Sequence, residues 1–267
     1  MAQLANDNIR KAVREQYGKV AESGDTGCGC SATSCCNDSG SDAKADSMEL
    51  GYSNTDVNAI PDGANMGLGC GNPKAIASLK PGETVLDLGS GGGFDCFLAV
   101  KEVGESGQVI GIDMTPKMVS KARKNADNAG YSNVEFRLGE IENLPVADSV
   151  VDVIISNCVI NLSPEKAKVF QESFRVLKPG GRLAISDIVA TAKLPEKLKN
   201  DMALFTGCMS GASSIADIEN MLKDAGFDEI EIKPKDESRD FIRYWVPDSK
   251  IEDFIVSATI EAIKPKA

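Results

Sequence analysis

The segment Val85-Leu86-Asp87-Leu88-Gly89-Ser90-Gly91-Gly92-Gly93 constrains this chain more than any other. A short apolar run carrying one acid breaks into glycines and then opens a helix at Phe94-Asp95-Cys96-Phe97-Leu98. Strand, tight turn and helix start, in that order, let the backbone approach a bound molecule closely. They also aim helix N–H groups at it.

The pattern after this segment sets the fold class. Thr84–Leu88 reads as a first strand, followed by a helix from Phe94 to Glu102. Val109–Ile112 reads as a second strand, and Thr115-Pro116 caps a helix running to Ala129 and stopped by Gly130. Val134–Phe136 and Val151–Ile155 are further strands, the latter apolar enough to be central. Ser163-Pro164 opens a helix to Leu177, Lys178-Pro179-Gly180-Gly181 turns the chain, and Arg182–Ile188 is a fifth strand. Strands alternating with helices predict a parallel sheet covered on both faces. Beyond it, Leu194–Cys208 and Ser214–Ala225 read as helices, and Phe227–Ile232 and Phe254–Ile263 as late strands completing the sheet. Before the sheet, Asn6–Ala21 is an amphipathic helix, and Asn72-Pro73 starts a short one. Residues 24–46 are rich in Gly, Ser, Asp and Cys and too poor in apolar residues to pack a core. The expected division is an N-terminal helix and Cys-rich arm over residues 1–70, a core over 71–190 and a capping region over 191–267.

Composition excludes several function classes. With 29 basic and 40 acidic residues the net charge is −11, which repels nucleic acid and anionic membranes. No apolar run is long enough to span a bilayer, and the N-terminus carries no apolar leader, so a cytoplasmic location is expected. A monomer is the default. There is no histidine, so imidazole serves neither as base nor as ligand, and a soft-ion site must use the eight cysteines. Permanent disulfides are not expected in such a compartment.

The glycine loop departs from the dinucleotide pattern G-x-G-x-x-G: it reads Asp87-x-Gly89-x-Gly91-x-Gly93. Asp113 ends the second strand, where an acid can accept both hydroxyls of a ribose, which suits either a dinucleotide or a nucleoside. Leu86 to Gly93, Gly111-Ile112-Asp113-Met114-Thr115 and Leu177-Lys178-Pro179-Gly180-Gly181 together resemble the class I S-adenosylmethionine-dependent methyltransferases. That resemblance implies a Rossmann-like α/β fold with a mostly parallel seven-stranded sheet. It implies S-adenosylmethionine as cofactor with no metal required. It also implies that Asp87, Gly89, Ser90, Gly91, Gly93, Asp113, Met114 and Asn157 contact the cofactor, with Ile141 packing on the adenine and Glu142 facing its amino group.

Three cysteines fall outside regular core positions. Cys70 stands among glycines, Cys158 follows the fourth strand, and Cys208 lies in Phe205-Thr206-Gly207-Cys208-Met209. Ligands of open α/β sheets bind outside the carboxyl ends of the strands, where Cys158 falls. Gly69-Cys70-Gly71, Ser156-Asn157-Cys158-Val159-Ile160-Asn161-Leu162 and Gly207-Cys208 with Gly211-Ala212 resemble the arsenic-binding segments of arsenite methyltransferases, as does the closing Val256-Ser257-Ala258-Thr259. The resemblance runs from Val13 to the C-terminus. It implies that Cys70, Cys158 and Cys208 bind trivalent arsenic as substrate, arsenite free or as a thiol conjugate. It also implies that Cys28, Cys30, Cys35 or Cys36 joins the redox cycle, reset by thioredoxin or glutathione. Cys70 and Cys208 have little apolar company in sequence, whereas Cys96, beside Phe97 and Leu98, reads as a core filler. Two other readings stay open: a methyltransferase of a small organic acceptor, and a thiol-rich metalloid sensor without activity.

Overall fold

The computed structural model describes residues 2–23 and 43–266. Strands β1 (Thr84–Leu88), β2 (Gln108–Asp113), β3 (Val134–Leu138), β4 (Val151–Asn157), β5 (Leu177–Ala190), β6 (Ser213–Ser214), β7 (Asp228–Lys235) and β8 (Ile255–Ile263) form one sheet. Its main path is β3-β2-β1-β4-β5-β8-β7, with β6 paired to the end of β5. The first five strands of the path are parallel, and β8 runs antiparallel to both β5 and β7. The seven expected strands are all present. The eighth, β6, has only two residues, too few to leave a periodic signal.

Eleven described helices accompany the sheet: α1 (Ala2–Ser23), α2 (Ala43–Glu49), α3 (Asn54–Asn58), α4 (Lys74–Ala77), α5 (Phe94–Val103), α6 (Pro116–Ala129), α7 (Lys166–Val176), α8 (Glu196–Lys199), α9 (Met202–Thr206), α10 (Ile215–Ala225) and α11 (Arg239–Ile242). Alternation along each strand sorts side chains to two cores. Leu86, Ile110, Ile154 and Leu183 meet Phe170 of α7 and Leu222 of α10 on one face. Val85, Val109, Val153 and Ala184 meet Phe97 of α5 and Val119 of α6 on the other. Full burial of such a side chain contributes about 1.5–3 kcal/mol, so both faces hold the helices firmly. No described helix is long and apolar enough to cross a membrane.

Two expectations need correction. Lys178-Pro179-Gly180-Gly181 is not a turn ahead of the fifth strand. It is an irregularity inside β5, where Leu177 pairs with Val151 and Arg182 with Val153, so extra residues are accommodated between them. Leu194–Cys208 is not one helix but two, α8 and α9. Asp201 separates them because its carboxylate accepts from the amides of Ala203 and Leu204 and starts a new helix. Cys28, Cys30, Cys35 and Cys36 lie outside the described residues.

Candidate active site

A cleft opens at the carboxyl ends of β1, β2 and β4, and α1 closes over it through Arg10, Val13 and Tyr17. Asp87, Gly89, Ser90, Gly91, Asp113, Met114, Ile141, Glu142, Asn157, Cys158 and Cys208 all line it. Two expected residues do not. Gly93 backs onto Phe97 and Phe136, where an added Cβ would sit 2.7 and 2.9 Å from their rings. Cys70 stands behind the wall, 1% exposed, in a cluster with Ile188, Leu204 and Met209. Its sparse apolar company in sequence is therefore a poor guide to its surroundings, as it is for Cys208, which packs with Val13 and Leu162.

The loop after β1 is held by the acids around it. Gly89 has φ +75, and a Cβ there would lie 2.3 Å from Val159, so only glycine fits. One Asp113 carboxylate oxygen accepts from the Gly91 amide at 3.0 Å and the other from the Thr115 amide at 2.8 Å. Burial raises the Asp113 pKa against those bonds. Asp87 is 3% exposed and accepts from the Cys96 thiol at 3.2 Å. Burial and the neighbouring Asp95 push its pKa well above the usual carboxylate range. Burial likewise raises Asp95 to about 6 against bonds from Tyr52 and Asn157. The Ser90 hydroxyl is buried at the cleft with no hydrogen-bond partner among the described residues. Crowded buried acids and an orphaned hydroxyl fit a ligand that brings cationic charge and polar groups.

Glu142 is already engaged. Its carboxylate accepts from Arg10 at 3.2 Å and from the Ser163 hydroxyl at 2.7 Å. Arg10 also bonds Glu165 at 2.7 Å, and its Nε pairs electrostatically with Glu140 at 3.4 Å without making a hydrogen bond. Burial opposes the Arg10 charge, but the bond to Glu165 and the charges of Glu142 and Glu140 more than offset it and raise its pKa.

The three thiols converge. The Cys70 and Cys158 sulfurs lie within 4.8 Å of each other, and the Cys208 thiol donates to the Cys158 carbonyl at 2.6 Å. Cys70, Cys96, Cys158 and Cys208 form no disulfide. The Cys208 contact lowers the Cys158 pKa, but the Cys70 contact and burial prevail and push it well above its usual value. The contact with Cys158 and burial do the same to Cys208. In the unliganded site Cys158 and Cys208 are therefore thiols, not thiolates. Cys158 and Cys208 both have left-handed backbones, φ 58 and φ 64, unusual for residues with a side chain. The Cys158 turn is held from beneath: its amide donates to Ser186 at 2.8 Å, and Asp187 accepts from the Ile160 amide and the Asn161 side chain. An Asp187 oxygen lies within 4.8 Å of the Cys70 and Cys158 sulfurs. Burial raises Asp187 to about 6.

Sequence reasoning missed Arg10, Tyr52, Asp95, Asp187 and Trp245. Asp95, in the first turn of a helix that opens from the glycine loop, carried a usable signal. The other four depend on partners far along the chain.

A family model described as a methyltransferase domain matches residues 79–226. The arsenite methyltransferase of Halobacterium salinarum is 53% identical, over 99% of this chain and 71% of its own length. That of Aquipseudomonas alcaligenes is 37% identical, over 82% of this chain and 62% of its own. The crystal structure of an arsenic(III) S-adenosylmethionine methyltransferase from Chlamydomonas reinhardtii superposes with a TM-score of 0.60 at 34% identity, covering 84% of this chain and 74% of that one. The chain thus spans 62–74% of the length of these proteins.

Proposed function

This chain belongs to the arsenite methyltransferases, enzymes of the class I S-adenosylmethionine-dependent group, and from that membership we propose that it methylates trivalent arsenic held by Cys70, Cys158 and Cys208. The observation that carries the reading is the meeting of these thiols, with Cys158 between the other two, beside the cleft that contains the glycine loop.

S-adenosylmethionine, when bound, supplies an electrophilic sulfonium methyl. The chain's own groups suit holding it. Asp87 and Asp95 answer its cationic amino-acid end, Ser90 and the loop amides its polar atoms, Asp113 its ribose, and Ile141 the face of its adenine. Met114 and Asn157 complete the wall. A cation beside Asp87 and Asp95 favours their ionised forms and relieves the repulsion between them.

Arsenite needs no histidine here. Each As–OH bond exchanges for an As–S bond, and the thiol proton leaves with hydroxide as water. Protonated thiols are therefore the right starting state. Three sulfurs around arsenic leave one lone pair, which is the nucleophile, so no proton has to be abstracted at transfer. Soft sulfur ligation suits the soft centre, and the enzyme's contribution is alignment within a fixed geometry. Methyl transfer formally oxidises the arsenic. Two electrons return it to the trivalent state, drawn from two thiols that close to a disulfide, which thioredoxin or glutathione then reduces. Cys28, Cys30, Cys35 and Cys36 are the candidates for that step.

Titration of the reduced protein with arsenite, followed by product analysis after addition of S-adenosylmethionine, tests the reading. Binding and methylarsenical formation that Cys158→Ser abolishes support it. Binding without transfer points to a sensor. No affinity for arsenite ends the arsenic assignment and leaves an organic acceptor.

A further inference from the structure

Tyr52 has no role in the chemistry above, yet it is 4% exposed and its hydroxyl sits between the two halves of the site. It donates to Asp95 at 2.6 Å and accepts from the Asn157 side-chain amide at 3.0 Å. Its ring stands edge-on to Phe94, centroids 4.8 Å apart, which fixes where the hydroxyl points.

Asn157 carries the connection onward. Its Oδ1 accepts from the Cys70 amide at 3.0 Å, and its Nδ2 donates to the Gly71 carbonyl at 2.8 Å. It therefore clamps the backbone at Cys70 and just after it. The preceding Gly69, φ +134, passes so close that a Cβ would fall 2.8 Å from Nδ2. A rotation of this amide moves the Cys70 loop with it. The Asn157 amide has two protons: one serves Gly71, and the shorter remaining contact for the other is Tyr52, not Asp95 at 3.5 Å.

We propose that Tyr52 is a positioning residue through which the two binding events are coupled: the chain Asp95–Tyr52–Asn157 ties the cofactor end of the cleft to the Cys70 loop. The chain has a direction. Asn157 donates to Tyr52 and Tyr52 donates to one Asp95 oxygen, a bond that is strongest when that carboxylate is ionised. A cation at the cofactor end holds Asp95 ionised and so holds the whole order, keeping Cys70 turned towards Cys158. Burial and Asp95 keep the phenol protonated throughout, so it is always the donor. Linkage then makes the effect mutual: a site whose Cys70 is already ligated binds the cofactor more tightly by the same factor. This inference rests on the cofactor and arsenite assignments made above.

The test, run at pH 5 where unliganded Asp95 is mostly protonated, measures dissociation constants for sodium arsenite with and without saturating S-adenosylhomocysteine, and the reverse, following the fluorescence of Trp245 at the cleft. In the wild type each ligand tightens the other about fivefold or more. Tyr52→Phe keeps the ring and removes only the hydroxyl, and coupling falls to within about twofold of none. Val57→Ala, which loosens the packing around Tyr52 without touching the hydrogen bonds, keeps the coupling. Wild-type protein that binds both ligands independently overturns the inference. So does coupling that survives Tyr52→Phe, or that Val57→Ala removes as completely. Failure of the wild type to bind arsenite or S-adenosylhomocysteine at all overturns instead the assignments beneath it.

Discussion

Arg10 and Glu142 stand 132 residues apart in the chain and meet at 3.2 Å over the cleft. The pair joins α1 to the loop after β3, and Glu140 and Glu165 surround the same guanidinium. The N-terminal helix is thus fastened to the loop assigned to the adenine.

Arg10→Met leaves the buried Glu142 carboxylate with Ser163 alone. Stranding a buried polar group commonly costs about 1–3 kcal/mol, and part of that falls on the loop's geometry. The expected outcome is a roughly tenfold higher Kd for S-adenosylhomocysteine, about 1.4 kcal/mol, with arsenite affinity little changed. Isothermal titration of both ligands reads it. Equal losses for the two would mean that α1 supports the whole cleft and not the cofactor end.

Cys96 offers a second contrast, because its thiol donates to Asp87 at 3.2 Å from the first turn of α5. Burial and the Asp87 charge keep it protonated, hence a donor. Cys96→Ser preserves a donor and Cys96→Val removes it at similar volume. The valine variant therefore binds the cofactor several-fold more weakly than the serine variant, while both bind arsenite normally. Valine binding as tightly as serine would show that Asp87 needs no help from this side chain.

How far the sequence could be read follows from where each residue's partners lie. Asp87, Asp113 and the glycine loop were legible because their roles are set within one strand–turn–helix unit. The site of Cys158 followed from its place at the end of β4, whereas its meeting with Cys70 and Cys208 was reached only through family likeness. Arg10 and Tyr52 were not legible, since Tyr52 reaches Asp95 and Asn157 across 43 and 105 residues. Cys96 was masked differently: its apolar neighbours advertise a core, and its one polar contact is made through the fold. Asp201 shows the same conflict on a local scale, where apolar periodicity suggested one helix and a cap made two.

The buried acids set a pH dependence of known sign. Burial raises Asp95 and Asp187 to about 6 from an ordinary value of 3.8. A raised pKa gives stability that is complete below about 4 and is lost as pH rises through about 6. Asp56 and Glu83 act oppositely: burial raises them, but bonds from Lys74 and Ser53 and from Arg182 and Lys80 outweigh it and lower them, so they destabilise as pH falls. Comparison with Asp95→Asn isolates one contribution. Urea unfolding of the unliganded wild type should lose more stability than the variant between pH 4.5 and 7.5, by roughly 1–3 kcal/mol. Cofactor affinity moves the other way, rising with pH through about 6 as Asp95 ionises, and this dependence flattens in the variant. Parallel curves for the two proteins would remove Asp95 from the account.

The left-handed backbone at Cys158 gives the last prediction. A residue with a Cβ at φ 58 is strained by roughly 1–2 kcal/mol relative to one without. The surrounding bonds, Cys158 amide to Ser186 and Asp187 to Ile160 and Asn161, hold the turn in place whatever side chain occupies it. Both Cys158→Ala and Cys158→Gly delete the central thiol and abolish arsenite methylation. They differ in stability. Alanine keeps the strain, and glycine releases it, less the extra freedom glycine has when unfolded, about 0.5–1 kcal/mol. Glycine should therefore equal or exceed alanine in urea unfolding here, the reverse of their order at an ordinary helix or strand position. Alanine more stable by a full kcal/mol, on the order of the usual glycine deficit, would mean that the turn relaxes once the thiol is gone. The strain would then belong to the cysteine's contacts with Cys70 and Cys208, not to the backbone that presents it.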